Sequence, residues 1–80
     1  HTDTAITLKA VDLGLHKISV NGIIMIVAYP GTPDGKKEKD ELASFLSHVP
    51  QKRFDVSYWQ PANQVHEPRV VFVIQKRGSP

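Results

Sequence analysis

The 80-residue sequence contains no cysteine, which removes two sources of rigidity at once. Neither a disulfide framework nor a thiolate zinc site can supplement its core. Charge of one sign is also scarce: 10 Lys and Arg stand against 8 Asp and Glu, a formal net charge of +2. An excess this small is not a nucleic-acid-wrapping arm. The longest uninterrupted apolar run, from Gly22 to Tyr29, falls far short of the roughly 20 residues that a membrane helix needs. The N-terminus lacks the charged-then-apolar layout of a signal peptide. A cytoplasmic setting with no membrane partner is therefore expected. What is present is a 40% hydrophobic fraction, ordinary for a globular chain and too high for disorder. A chain this short buries roughly 60% of its unfolded surface, so alone it is marginal. It opens His1-Thr2-Asp3-Thr4 without an initiator Met and enters an amphipathic pattern almost at once. That start reads as a processed or trimmed chain, or as one piece of a larger fold.

The first pattern is helical. Leu8, Val11, Leu15 and Ile18 repeat at helical spacing, flanked by Ile6, Ala10 and Leu13, with Thr2, Asp3 or Thr4 available as N-cap. Gly14 weakens this helix, and Asn21-Gly22 ends it because both residues tolerate a left-handed backbone. The segment from Ile23 to Tyr29 is apolar on both alternating faces and rich in branched side chains, which fits a strand covered on both sides. Residues 30–35 form a turn-rich loop. A second helix starts near Lys36, carries Leu42, Phe45, Leu46 and Val49 as its stripe, and stops at Pro50. Residues 54–59 alternate Phe54, Val56 and Tyr58 against Asp55, Ser57 and Trp59, the pattern of a half-exposed edge strand. A loop over residues 60–68 leads into a wholly apolar strand over residues 70–74, closed by Gln75-Lys76-Arg77-Gly78.

The order is helix, strand, helix, strand, strand, in an α/β domain. The strand–helix–strand unit predicts a right-handed parallel crossover. The short helix-free loop before the last strand predicts an antiparallel return. The last strand is more apolar than the second, so it belongs in the middle of a three-stranded mixed sheet. The strand from Ile23 to Tyr29 then forms an edge, although exposed apolar edges invite aggregation. Something is expected to cover it: further strands of the same protein, or a second copy in a homodimer.

Four stretches carry a resemblance to a known family. These are Asp3-Thr4-Ala5-Ile6; Gly22 through Tyr29 with Pro30-Gly31; Gly35-Lys36-Lys37-Glu38-Lys39-Asp40-Glu41 running to Leu46, then Val49-Pro50-Gln51-Lys52; and Asn63-Gln64 followed by Pro68 and the strand ending Gln75-Lys76-Arg77. Their order and spacing resemble the carboxyl-terminal half of a class I S-adenosylmethionine-dependent methyltransferase, a Rossmann-like fold. More closely, they are similar to the family labelled putative rRNA methylase, whose characterised members are tRNA methyltransferases. Pro30 and Thr32 stand where that family has His, and Glu67-Pro68-Arg69 replaces a Pro-Pro pair. The resemblance implies that residues 1–80 form one partial domain. It also implies methyl transfer to the exocyclic amine of 5-aminomethyl-2-thiouridine in tRNA. S-adenosylmethionine would be held mainly by an N-terminal half with a glycine-rich loop that has no counterpart in these residues. This chain alone would then be inactive.

Ligands of open α/β sheets bind at the carboxyl ends of parallel strands. The loops that leave those ends carry Tyr29, Asn63, Gln64 and His66 as substrate-binding candidates. An amine nucleophile needs alignment above all. Asn63 or Gln64 could hydrogen-bond a pyrimidine edge, and Tyr29 could stack on it. The plainer reading makes Asn63 and Gln64 loop caps and Tyr29 strand-end packing. His66 has a pKa range suited to a base toward an ammonium substrate, or is simply solvated.

Other features carry less. The stretch from Gly31 to Lys37 has three residues between its glycines and no hydroxyl after the lysine, so it is not a nucleoside-triphosphate loop. Lys36, Lys37, Lys39, Lys52 and Arg53 could touch tRNA phosphates, but Glu38, Asp40 and Glu41 among them make a solvated helix face the simpler reading. His1, His16, His48 and His66 are scattered, so no metal is expected. Trp59 reads as packing or a dimer contact. The rival to a transferase is a non-enzymatic α/β module that dimerises through the strand from Ile23 to Tyr29.

Overall fold

The computed structural model describes residues 4–65 and 69–78. Helix α1 (Thr4–Lys17) buries Val11 and Leu15 and half-buries Leu8, as its spacing requires. Its flanks differ from expectation: Ile6 and Leu13 stay exposed, so the buried stripe is narrow. Thr4 is already helical, and the other two cap candidates, Thr2 and Asp3, lie outside the described residues. Gly14 does not break the helix. A Cβ there would stand 3.3 Å from the Ile24 Cδ1 methyl, so the glycine marks a close approach of α1 to the sheet. The helix ends at Lys17, four residues before the expected Asn21-Gly22 stop. Asn21 instead takes the left-handed φ of 68° in the turn into β1, a conformation that asparagine tolerates better than most residues. Gly22 does not adopt it.

Strand β1 (Ile23–Ala28) is followed by helix α2 (Pro33–Ser47), which begins three residues before the expected Lys36. The physical reason is a complete N-terminal signal inside the apparent loop. Thr32 is extended at φ −120° and ψ 158°, and its Oγ1 accepts the Gly35 amide at 3.0 Å. Its carbonyl accepts the Lys36 amide at 2.8 Å. Pro33 in the first turn supplies a preset φ where its missing N–H costs nothing. Leu42 and Leu46 are buried on the stripe, and Phe45 and Val49 pack beside them.

Strands β2 (Phe54–Trp59) and β3 (Val70–Lys76) complete a sheet of order β1-β3-β2. Both ladders are antiparallel, so β1 and β2 run the same way on either side of β3. β3 extends two residues beyond its apolar run because Gln75 pairs with both Ile23 and Asp55, and Lys76 pairs with Phe54. The Lys76 ammonium also donates to the Ile18 carbonyl at 3.2 Å, tying the end of β3 to the exit of α1.

The pleat sorts the strands into two unlike faces. Ala28, Phe54, Val70, Phe72 and Ile74 form the core with Val11, Leu15, Leu42 and Leu46, so both helices lie on this face. Val56 and Tyr58 of the edge strand β2, on the same side, nevertheless stay exposed. Ile23, Met25, Val27 and Trp59 point the other way and are exposed. Val71 and Val73 lie between them, half-buried. β1 is therefore covered on one side only, although its composition suits cover on both.

Candidate functional site

The register brings two loops to one end of the sheet. Ala28 pairs with Val70 and Trp59 with Val71, so β1 and β2 both finish where β3 starts. Tyr29 follows β1 there and is 66% exposed. A Cβ at position 35 would collide with the Tyr29 carbonyl, so only glycine lets the first turn of α2 close onto that backbone. Asn63 and Gln64 lie exposed in the loop after β2. Gln64 Nε2 donates to Asn63 Oδ1 at 3.4 Å. That bond leaves a donor on Asn63 and an acceptor on Gln64, the two kinds of group that a pyrimidine edge pairs with. The fourth candidate, His66, lies outside the described residues.

The same end carries a feature that the sequence reading did not single out. Trp59, Gln60, Pro61, Arg69 and Val71 line a shallow depression of about 260 Å³. The Tyr58 hydroxyl donates to Gln60 Oε1 at 3.1 Å, which orients that amide. Trp59 was assignable to the outer face by alternation. Its meeting with Arg69 was not, because they belong to different strands' ends and ten residues separate them.

At the opposite end, α1, α2 and the start of β2 enclose a groove of about 420 Å³ lined by Leu15, Phe45 and Phe54 with His16, His48 and Arg53. Each imidazole donates from Nδ1 to the carbonyl four residues earlier, His16 to Asp12 at 2.8 Å and His48 to Ser44 at 2.7 Å. Among the described residues no group of three or more His, Asp or Glu gathers as a metal site. The basic residues do not form one patch. Lys36, Lys37 and Lys39 lie in the first turns of α2, where Lys39 pairs with Asp40 at 3.5 Å. Lys52 and Arg53 lie just before β2, with the Arg53 guanidinium 6.0 Å over the Phe54 ring. No described helix is long and apolar enough to cross a membrane.

A family model described as "Putative rRNA methylase" matches residues 1–75. The chain belongs to this rRNA methylase family. Solved structures agree with the assignment. The chain is similar to a "putative rRNA-methylase" of Clostridium thermocellum, with 32% identity and a TM-score of 0.89 over 94% of this chain and 40% of that one. It is similar to a "putative methyltransferase" of Streptococcus mutans in complex with SAH, at 33% identity and a TM-score of 0.85, covering 94% and 41%. It is also similar to an rRNA methylase of Streptococcus thermophilus, at 25% identity and a TM-score of 0.82, covering 95% and 42%. The chain thus spans about two fifths of the length of these structures and corresponds to part of a Rossmann-like methyltransferase domain.

The family's cofactor does not fit the described residues by themselves. Among the described residues the turn between β1 and α2 is the place with a strand, glycines and a helix start in sequence, and two of its amides, those of Gly35 and Lys36, are already bonded. Thr32 accepts both the Gly35 and the Lys36 N–H, and the Tyr29 carbonyl is packed against Gly35. The two helix-start amides bonded to Thr32 are not offered to a ligand.

Proposed function

We propose that this chain is the carboxyl-terminal part of an S-adenosylmethionine-dependent RNA methyltransferase, and that its acceptor is the exocyclic amine of 5-aminomethyl-2-thiouridine in tRNA. The observation that carries the transferase reading is the likeness to the Streptococcus mutans methyltransferase in complex with SAH, 33% identical over 94% of this chain. The rim supports the base-binding part. Tyr29 offers an exposed ring, and Asn63 and Gln64 offer a donor and an acceptor at the same end of the sheet. These residues bind and orient the acceptor base; cofactor binding belongs to the remainder of a family-length protein. His66, two residues after Gln64 in the sequence, is the candidate to take the proton from the acceptor ammonium.

The open sheet face supports the part-domain reading. Burying an aliphatic side chain contributes about 1.5–3 kcal/mol, so Ile23, Met25 and Val27 represent stabilisation that a neighbouring segment can supply. The β1 edge is available to a further strand. The rival of a module that dimerises through β1 is not favoured by the likeness to transferases.

The test is methylation by the full-length protein of tRNA carrying the aminomethyl group and of tRNA lacking it. Transfer confined to the aminomethylated tRNA is expected. Equal transfer to both, or transfer only to ribosomal RNA, removes the assigned acceptor while leaving the transferase reading intact.

A further inference from the structure

We infer that Trp59, Gln60 and Arg69 form a seat for one nucleotide of the RNA substrate, next to the nucleotide whose base is methylated. The inference rests on the RNA-methyltransferase reading and adds a second contact to it. Three observations converge.

The depression lies where β2 ends, at the end of the sheet that also carries Tyr29, Asn63 and Gln64. Its volume of about 260 Å³ is below that of enclosed small-molecule sites, and its open form suits a single base laid on a shelf. Trp59 is 63% exposed on the outermost strand, so it lies at the margin of the open sheet face. An indole presented in this way stacks on a base of any identity.

The polar groups around the indole match the rest of a nucleotide. Gln60 Oε1 accepts the Tyr58 hydroxyl at 3.1 Å, so the Nε2 of the same amide is the group left to donate to a base carbonyl. Arg69, exposed beside the indole, is placed to pair with a phosphate. Val71 and Pro61 add apolar lining. The groove between α1, α2 and the start of β2 also has aromatic lining, but it lies at the opposite end of the sheet from the acceptor rim.

The experiment uses the full-length protein that carries this chain and a uridine hexanucleotide as probe. Trp59 is the single tryptophan of these 80 residues, so the fluorescence difference between the wild type and Trp59→Phe isolates its indole. Saturable quenching of that difference is expected. In methylation assays Trp59→Ala is expected to raise KM for the RNA about tenfold with kcat within about twofold, and Trp59→Phe to recover most of the loss. Arg69→Ala is expected to weaken the salt dependence of KM by about one phosphate contact. A protein that methylates RNA but shows no quenching, or an unchanged KM in both alanine variants, overturns the seat and leaves the function standing. Quenching by a protein that methylates no RNA overturns the transferase reading instead and retains an RNA-binding seat.

Discussion

Gly35 is the residue on which the geometry of the rim turns. Any Cβ there meets the Tyr29 carbonyl and comes within 3.0 Å of Thr32 Oγ1, so the obstacle is backbone, which cannot rotate aside. Gly35→Ala is expected to destabilise by about 2 kcal/mol, in the range of overpacking in tight sites. Urea denaturation measures this, and an unchanged midpoint would show that the turn can open freely. Thr32→Ala removes the cap that accepts the Gly35 amide and is expected to cost about 1 kcal/mol. Gly14 behaves oppositely. Its hypothetical Cβ meets only the far methyl of Ile24 at 3.3 Å, a group that can change rotamer. Gly14→Ala is therefore expected to raise stability by a few tenths of a kcal/mol through helix propensity, read from the same denaturation curves.

Among the elements, β1 has the most unequal surroundings. Its even-numbered residues Ile24 and Ile26 pack against the core, while Ile23, Met25 and Val27 face outward uncovered. A substitution on the outer face consequently distinguishes the chain alone from the chain in a family-length protein. Met25→Ser is expected to change the stability of the 80-residue chain by less than about 0.5 kcal/mol, the ordinary range for surface positions. In the full-length protein the same change is expected to cost about 2 kcal/mol, since a large buried apolar group is lost. Equal small effects in both contexts would mean that nothing covers this face. Ile26→Ser serves as the internal control, destabilising in both. Helix α2 shows the complementary lesson. Its start was hidden in the sequence because Pro33, Asp34 and Gly35 read as turn residues one by one, whereas Thr32, Pro33 and the Gly35 amide act together as a helix beginning.

For the molecule as a whole, one covered face and one open face imply a protein that lacks the neighbours its sheet can accept. Calorimetry on the 80-residue chain is expected to show no tight binding of S-adenosylmethionine, because the chain spans about two fifths of the related structures and the Gly35 and Lys36 amides of its β1–α2 turn are bonded to Thr32. Tight binding would overturn the part-domain reading. The element order, the central position of β3 and the edge position of β2 were legible in the residues, since hydrophobic periodicity reports which side chains seek burial. The expectation that Tyr29 and Asn63-Gln64 lie at one end follows from strand direction alone, and His66, which belongs to the same expectation, lies outside the described residues. The depression at Trp59 was not legible. It depends on side chains from Trp59, Gln60 and Arg69 meeting across a loop, and no local pattern encodes such a meeting. The amino-acid sequence by itself determined which segments fold and which residues want cover. The tertiary structure decided which of those residues receive it, because two helices fall on the same side of a twisted sheet and cannot shield both.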